Sequence, residues 1–256
     1  MMIGVILSAG MGTRLMPLTK DIPKPLLVIN EKTLLERMIQ NCINAGIKDF
    51  ILIVGYNKEK VYEIAPKLEE KLDISIKIIE NTEYDITNTS VSTYLASSYI
   101  EKETPDDFIL VNGDNVVDPE IITRIAATDN TSMIVDNFKE LNEESFKLIL
   151  DELKFNDDET IANGIIAEIG KGIDIASSTG EFIGVSKVVK DDLTRFNELL
   201  VELIDEDRQN YYDLAYKPLS AESTIDYVLT NGLKWTEIDD HNDWETANQL
   251  VDEFEN

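Results

Sequence analysis

The first 135 residues alternate short apolar runs with amphipathic stripes, and this alternation limits the fold more than any other feature. Met2 to Leu7, Phe50 to Val54, Ile74 to Ile79, Phe108 to Val111 and Ser132 to Val135 have the length and apolar content of buried strands. Between them, Thr33 to Ala45 carries Leu34, Leu35, Met38, Ile39, Cys42 and Ile43 at helical spacing. Thr33 followed by Glu36 is a capping-box pattern, and Gly46 marks the stop. Glu59 to Glu70 and Val91 to Ile100 also read as helices. Pro119 to Ala127 does too, with Asp118 as N-cap and proline at the first helical position. Repeated βα units of this kind predict an α/β fold, a mostly parallel sheet with helices on both faces.

The pattern changes after residue 135. Phe146 to Leu150 and Ile161 to Ile169 predict strands around a polar Asn156-Asp157-Asp158 turn, and Phe182 to Val189 a further strand. Asp191 to Ile204 reads as a helix, and Thr224 to Leu229 as part of another. Lys234 to Ile238 reads as a last short strand. Trp244, Ala247, Val251 and Phe254 fall on one face of a C-terminal helix. With no internal repeat, low-complexity tract or long linker, a single domain over residues 1–256 is expected.

Charge excludes two classes of partner. Lys and Arg total 23 against 50 Asp and Glu, a net charge of −27, which repels nucleic acid and anionic membranes. Cys42 is the sole cysteine, so no intramolecular disulfide forms. Its helical spacing with Met38 and Ile39 reads as core packing. No apolar stretch approaches membrane-spanning length, and the opening apolar run lacks the flanks of a signal peptide. A soluble, cytoplasmic protein is expected.

Against this acidic background one basic island stands out. After the first strand, Gly10 and Gly12 open a loop that carries Arg14 and, ten residues on, Lys24. Glycines let backbone N–H groups approach phosphates, and the two cations neutralise them, as a triphosphate requires. The loop is not a Walker motif, because no Gly-Lys-Ser/Thr follows. Nor is it a dinucleotide fingerprint, because the third glycine is missing and Arg14 stands in its place. Parallel sheets bind ligands beyond the carboxyl ends of their strands. Two further polar clusters fall at such ends, Asn112-Gly113-Asp114-Asn115 and Asp239-Asp240. Asp114 suits a hard cation such as Mg²⁺ that prefers oxygen ligands and substrate phosphates. Asp239 suits the same ion as a second carboxylate, with Asp240, Asn242 and Asp243 competing as caps of the last helix. His241, the only histidine, reads as a surface residue.

With these clusters in hand, the chain resembles the nucleotidyltransferase superfamily that activates phosphorylated small molecules. The resemblance rests on Ala9-Gly10-Met11-Gly12-Thr13-Arg14 with Lys24-Pro25, on Val54-Gly55-Tyr56, and on Asn112-Gly113-Asp114. Within the superfamily, three segments are similar to phosphocholine cytidylyltransferases and related CTP-dependent phospho-alcohol and phosphonate enzymes. They are Asn81 to Ala96, Gly180-Glu181-Phe182-Ile183-Gly184-Val185, and Trp235 to Asp239 followed by Asp243-Trp244. The pattern departs from theirs at Asn88-Thr89, where an Asn-Asn pair is usual, and at Val91, where an aromatic is usual.

The resemblance implies a Rossmann-like, three-layer αβα fold of the nucleotide-diphospho-sugar transferase type. Residues 1–135 would bind the nucleotide and 136–233 the acceptor, with a metal-ligand strand end and a last helix in 234–256. It implies Mg²⁺-dependent transfer of a nucleotidyl group, from CTP foremost, to phosphocholine, phosphoethanolamine, aminoethylphosphonate or inositol phosphate. Arg14 and Lys24 would be catalytic. Leu7, Ala9, Gly10, Gly12, Thr13, Arg14, Lys24, Asn88, Ser92 and Asp114 would line the nucleotide site. Lys171, Glu181, Asp136 and Tyr212 would meet the acceptor, Tyr212 as part of an aromatic wall with Tyr211 and Tyr216. Asp114 and Asp239 would hold the metal. The near alternative is a sugar-1-phosphate nucleotidyltransferase using UTP, dTTP or GTP. A non-catalytic nucleotide-sensing subunit on the same fold is a third reading, disfavoured because Arg14, Lys24, Asp114 and Asp239 are all retained. Neither nucleic acid nor membrane insertion is expected. A homodimer is allowed by a sequence that does not fix the oligomeric state.

Overall fold

In a computed structural model that describes residues 2–254, thirteen strands and seven α-helices follow one another along the chain. The strands are β1 (Met2–Ser8), β2 (Val28–Ile29), β3 (Lys32–Thr33), β4 (Asp49–Val54), β5 (Ser75–Glu80), β6 (Asp107–Asn112), β7 (Asn115–Val117), β8 (Thr131–Asp136), β9 (Lys147–Phe155), β10 (Ile161–Gly170), β11 (Gly180–Val188), β12 (Ile225–Leu229) and β13 (Trp235–Glu237). The helices are α1 (Leu34–Asn44), α2 (Lys58–Leu72), α3 (Thr89–Glu103), α4 (Pro119–Ala126), α5 (Leu193–Glu206), α6 (Tyr216–Glu222) and α7 (His241–Phe254).

Nine strands form one mixed sheet in the order β5-β4-β1-β6-β11-β8-β12-β10-β9. Its first four strands pair in parallel, as the βα alternation predicts. β11 then runs antiparallel between β6 and β8 and joins the two halves of the sheet. β12 lies parallel to β8, and the β9–β10 hairpin closes the far edge.

Helices cover both faces, which is why the early strands read as unbroken apolar runs. Successive residues point to opposite faces. Val5, Phe108 and Leu110 enter one core with Ala96, Ile100, Phe196 and Tyr216. Their neighbours Ile6, Ile109 and Val111 enter the other with Leu35, Ile39, Val61 and Ile122. Cys42 is fully buried in the second core, and burial pushes its thiol up to about 12, so it is an inert packing group. A third, smaller cluster of Leu15, Leu27, Ile29, Leu34, Val116, Ile238, Ala247 and Val251 lies beneath the glycine loop. It fastens the loop segment to β7, to the end of β13 and to α7.

The helix caps follow the sequence. The Thr33 hydroxyl accepts the Glu36 N–H at 3.1 Å, and the Asp118 carboxylate accepts the Glu120 N–H at 2.9 Å. Glu36 does not close the capping box in return, because its carboxylate takes the Lys71 ammonium at 2.7 Å. One element differs in type. Thr224 to Leu229, expected to be helical, is the strand β12, and the helix before it ends at Glu222. All five residues of β12 are buried, and such short apolar runs carry no periodicity that separates strand from helix. Among the described residues, no helix is long and apolar enough to cross a membrane.

Candidate active site

The glycine loop leaves β1 at Ser8. Gly12 adopts a left-handed conformation (φ 58°), which disfavours any side chain, and its carbonyl accepts the Thr19 hydroxyl at 2.8 Å. Arg14 sits on a 3₁₀ turn anchored by buried Leu15, and Lys24 opens a second such turn, Lys24–Leu26, that buries Pro25 and Leu26. Tyr56 donates its backbone N–H to the Ala9 carbonyl at 3.1 Å, which ties the loop to the end of β4. Gly55 permits this approach, since a Cβ there would stand 2.8 Å from the Ala9 oxygen.

The other two strand ends close on this loop. Gly113 donates its N–H to the Leu7 carbonyl at 2.9 Å, and a Cβ on it would collide with that same oxygen. Asp114 is thereby held against the root of the loop. Its carbonyl accepts the Ile238 N–H at 3.0 Å, which brings Asp239 alongside. The Lys24 ammonium bridges both carboxylates, at 2.7 Å from Asp114 and 2.9 Å from Asp239. The Arg14 guanidinium takes the second Asp239 oxygen at 2.9 Å. Burial alone would push the Lys24 pKa down, but the two carboxylates more than offset it and raise it. The Asp239 carboxyl is held below its ordinary range. Burial opposes this, and Lys24 and Arg14 outweigh it. Asp240 has a different task, because its carboxylate accepts the Asn242 and Asp243 N–H groups at the start of α7.

These groups line a cleft of about 890 Å³. Of the residues expected at the nucleotide, Leu7, Ala9, Gly10, Arg14, Lys24, Asn88, Ser92 and Asp114 line it, whereas Gly12 and Thr13 do not and instead shape the turn. Asn88 caps α3 through the Thr89 N–H at 2.8 Å, and Ser92 accepts the Asn81 amide at 3.1 Å. Lys171 and Glu181 line the other end, with Lys171 paired to Glu144 at 3.0 Å. His241 is exposed, its imidazole 3.2 Å from the Met16 carbonyl oxygen.

Two expected acceptor contacts lie elsewhere. Asp136 is buried behind the wall, and its carboxylate is taken up by the Trp235 indole N–H (2.8 Å), the Thr230 hydroxyl (2.5 Å) and the Phe138 N–H (3.1 Å). Its role is to hold Trp235. Tyr212 is completely buried and packs edge-on to Phe182, with Tyr216 beside it in the same core. Of the three tyrosines only Tyr211 lines the cleft, with its ring 5.6 Å from that of Phe146.

Sequence reasoning missed several wall residues. Glu237 is half-buried two positions before Asp239. Desolvation, with Asp114, Asp239 and Glu181 nearby, pushes its carboxyl up to about 8. Strand alternation puts Trp235, Glu237 and Asp239 on one side, a signal that was available. Lys139 and Phe146 come from the loop before β9 and Asp213 from a 3₁₀ turn, Tyr212–Ala215, and none gave such a signal. The loop that carries Lys139 and Phe146 is organised by Lys147, which is almost completely buried. Its ammonium donates to the carbonyls of Asn142 (3.1 Å), Glu143 (3.3 Å) and Ser145 (3.0 Å).

The donor set fits Mg²⁺. Two carboxylates from different strand ends already enclose a single cationic nitrogen, and hard oxygen ligands of this kind match the ion. Among the described residues there is no group of three or more His, Cys, Asp or Glu side chains able to hold a metal. Two carboxylates completed by substrate phosphates is the usual Mg²⁺ arrangement in phosphoryl-transfer sites.

Comparison with known proteins identifies the family and the fold. Residues 3–150, more than half of the chain, match the family described as Nucleotidyl transferase. The "Bifunctional protein GlmU" of Methanococcus aeolicus is 39% identical over 133 residues, which span 52% of this chain and 29% of that protein. The 2-aminoethylphosphonate cytidylyltransferase of Lancefieldella rimae is 38% identical over 98 residues, 38% of each chain. The chain thus spans about a third of the length of these curated relatives. The CTP:phosphocholine cytidylyltransferase of Streptococcus pneumoniae has the same fold, with a TM-score of 0.73 over 98% of this chain and 99% of that one, at 23% identity.

Proposed function

The chain belongs to the nucleotidyl transferase family, and on that premise we propose that it transfers a nucleotidyl group to a phosphorylated small molecule. The donor is a nucleoside triphosphate, CTP foremost. The acceptor is a phospho-alcohol or a phosphonate, and pyrophosphate is released. The observation that carries this reading is the meeting of Arg14, Lys24, Asp114 and Asp239 at the mouth of a glycine loop. The choice of CTP and of the acceptor class draws on the likeness of several segments to cytidylyltransferases.

The chemistry follows from the charges. A phosphate or phosphonate oxygen of the acceptor is already ionised, so it needs no general base. It attacks the α-phosphorus in line, a new P–O bond forms, and the bond to the β-phosphate oxygen breaks. The protein's work is positioning and charge neutralisation. Arg14 and the loop amides bind the β- and γ-phosphates. Lys24 leaves its carboxylates for the α-phosphate and the incoming oxygen. Asp114 and Asp239 would hold Mg²⁺, which supplies Lewis-acid polarisation of the phosphate oxygens when bound. Lys171 reaches the acceptor phosphate from the far wall.

Pyrophosphate release, measured with five nucleoside triphosphates against a panel of phosphorylated acceptors with and without Mg²⁺, tests the proposal. The expected result is release with CTP and a phospho-alcohol or phosphonate, abolished in Asp114→Ala. Nucleotide binding without turnover for every pair would refute it in favour of a sensing subunit. Turnover confined to sugar phosphates would refute the acceptor class.

A further inference from the structure

The acceptor end of the cleft is rich in carboxyl groups. Glu143, Glu144, Glu181, Asp213 and Glu237 line it with Lys139 and Lys171, Lys171 is already paired with Glu144, and burial raises the carboxyls of Glu181, Asp213 and Glu237. Two of these acids hold an unsatisfied acceptor. Glu181 is 8% exposed and Asp213 5% exposed, and Glu181 Oε2 and Asp213 Oδ1 have no hydrogen-bond partner among the described residues. Buried acceptors left without donors are rare, and a ligand carrying N–H or O–H groups would satisfy them.

The aromatic surface of the same wall is already occupied. The Lys139 ammonium stands 4.4 Å over the Trp235 ring, the position a ligand cation takes in an aromatic cage. Trp235 cannot turn away, since its indole N–H is fixed on Asp136 at 2.8 Å. Tyr211 and Phe146 meet edge to face, which gives two walls and no closed box.

We infer that the acceptor carries a primary ammonium group on a short stem beyond its phosphate or phosphonate, and that a trimethylammonium group is excluded. An ammonium group brought against the buried Glu181 and Asp213 carboxyls favours their ionised form and pairs with it. Unpartnered carboxylate oxygens select one that donates hydrogen bonds, and Lys139 denies the aromatic face to one that does not. This inference rests on the proposed nucleotidyl transfer and narrows its acceptor.

The test compares kcat/KM for CTP with phosphoethanolamine, aminoethylphosphonate and phosphocholine at saturating Mg²⁺. The primary amines are expected to exceed phosphocholine by about 10⁴-fold, the scale on which a site built to hydrogen-bond a substrate N–H rejects an analogue that lacks it. In Lys139→Ala the ratio is expected to fall about tenfold, through a lower KM for phosphocholine with the KM for CTP unchanged. Thermal unfolding checks that this variant is folded. Glu181→Gln, read the same way, is expected to raise KM for the primary amines and leave that for CTP unchanged. Phosphocholine turned over as well as the amines would overturn the inference and leave nucleotidyl transfer standing. Pyrophosphate release with none of the three acceptors would overturn the inference, and release with no acceptor of the wider panel would overturn nucleotidyl transfer as well. A Lys139→Ala variant with unchanged selectivity would remove Lys139 from the argument and overturn the exclusion it carries.

Discussion

Replacing Asp213 by asparagine should change the pH dependence of stability in a direction and size that the fold fixes. Asp213 is buried, and desolvation raises its carboxyl from 3.8 to about 7, with the Tyr212 hydrogen bond and a backbone bond opposing weakly. The folded state therefore keeps a proton that the unfolded chain releases. A carboxyl whose pKa is raised on folding costs nothing below the unfolded value. The cost grows as pH rises from about 4, and is complete above about 7. One pKa unit is worth about 1.4 kcal/mol, so the penalty is about 2 kcal/mol at pH 5 and about 4 kcal/mol at pH 8. An asparagine side chain cannot ionise, so the variant lacks this slope. Any cost of burying its amide is the same at both pH values and cancels. Urea unfolding of both proteins at pH 5 and pH 8 gives the comparison. The variant's stability relative to the native protein should rise by about 2–3 kcal/mol between them. A pH-independent difference, or one that falls with pH, would show that Asp213 is ionised in the fold and refute the reasoning.

Gly113→Ala should cost about 1–3 kcal/mol, because its Cβ collides with the Leu7 carbonyl. For a domain of this size that is a fall of several degrees in Tm, readable by calorimetry, with a drop in turnover as Asp114 shifts. Asp136→Asn turns an amide N–H₂ toward the Trp235 indole N–H or leaves the Thr230 hydroxyl short of an acceptor. A loss of about 1–3 kcal/mol is expected in urea, followed by tryptophan fluorescence. Lys24→Met leaves Asp114 and Asp239 facing each other without the ammonium that bridges them. In chelator it should be less stable than the native protein by about 1–2 kcal/mol, and added Mg²⁺ should raise its Tm more than that of the native protein.

The first half of the fold was legible because its strands are buried on both faces and its helices on one. Periodicity and caps such as Thr33 and Asp118 therefore carried the architecture. The nucleotide end of the cleft was legible for a related reason. Short polar motifs at strand ends need particular residues, glycine at 12 and 113 for the backbone and charges at 14, 24, 114 and 239 for the chemistry. The acceptor end was not. Asp136 and Tyr212 looked as suitable as Tyr211, yet the first two are buried in the core and Tyr211 lines the cleft. β12 was misread because a fully buried five-residue run has the same composition in either secondary structure. Lys147 gave no hint of its three carbonyl partners, since a lone lysine in sequence reads as surface.

The ion pair between residues 24 and 239 also sets an order of events during synthesis. The two side chains are 215 positions apart, and the second arrives just after the short strand that pairs with β7. A nascent chain can lay down β1, β4, β5 and β6, and even the acceptor wall through Asp213, while Lys24 has Asp114 alone to pair with. The cluster is completed only when the segment around residue 239 clears the ribosome. A translation product halted a few residues earlier would contain all nine strands of the main sheet and still lack one of the carboxylates that Lys24 bridges.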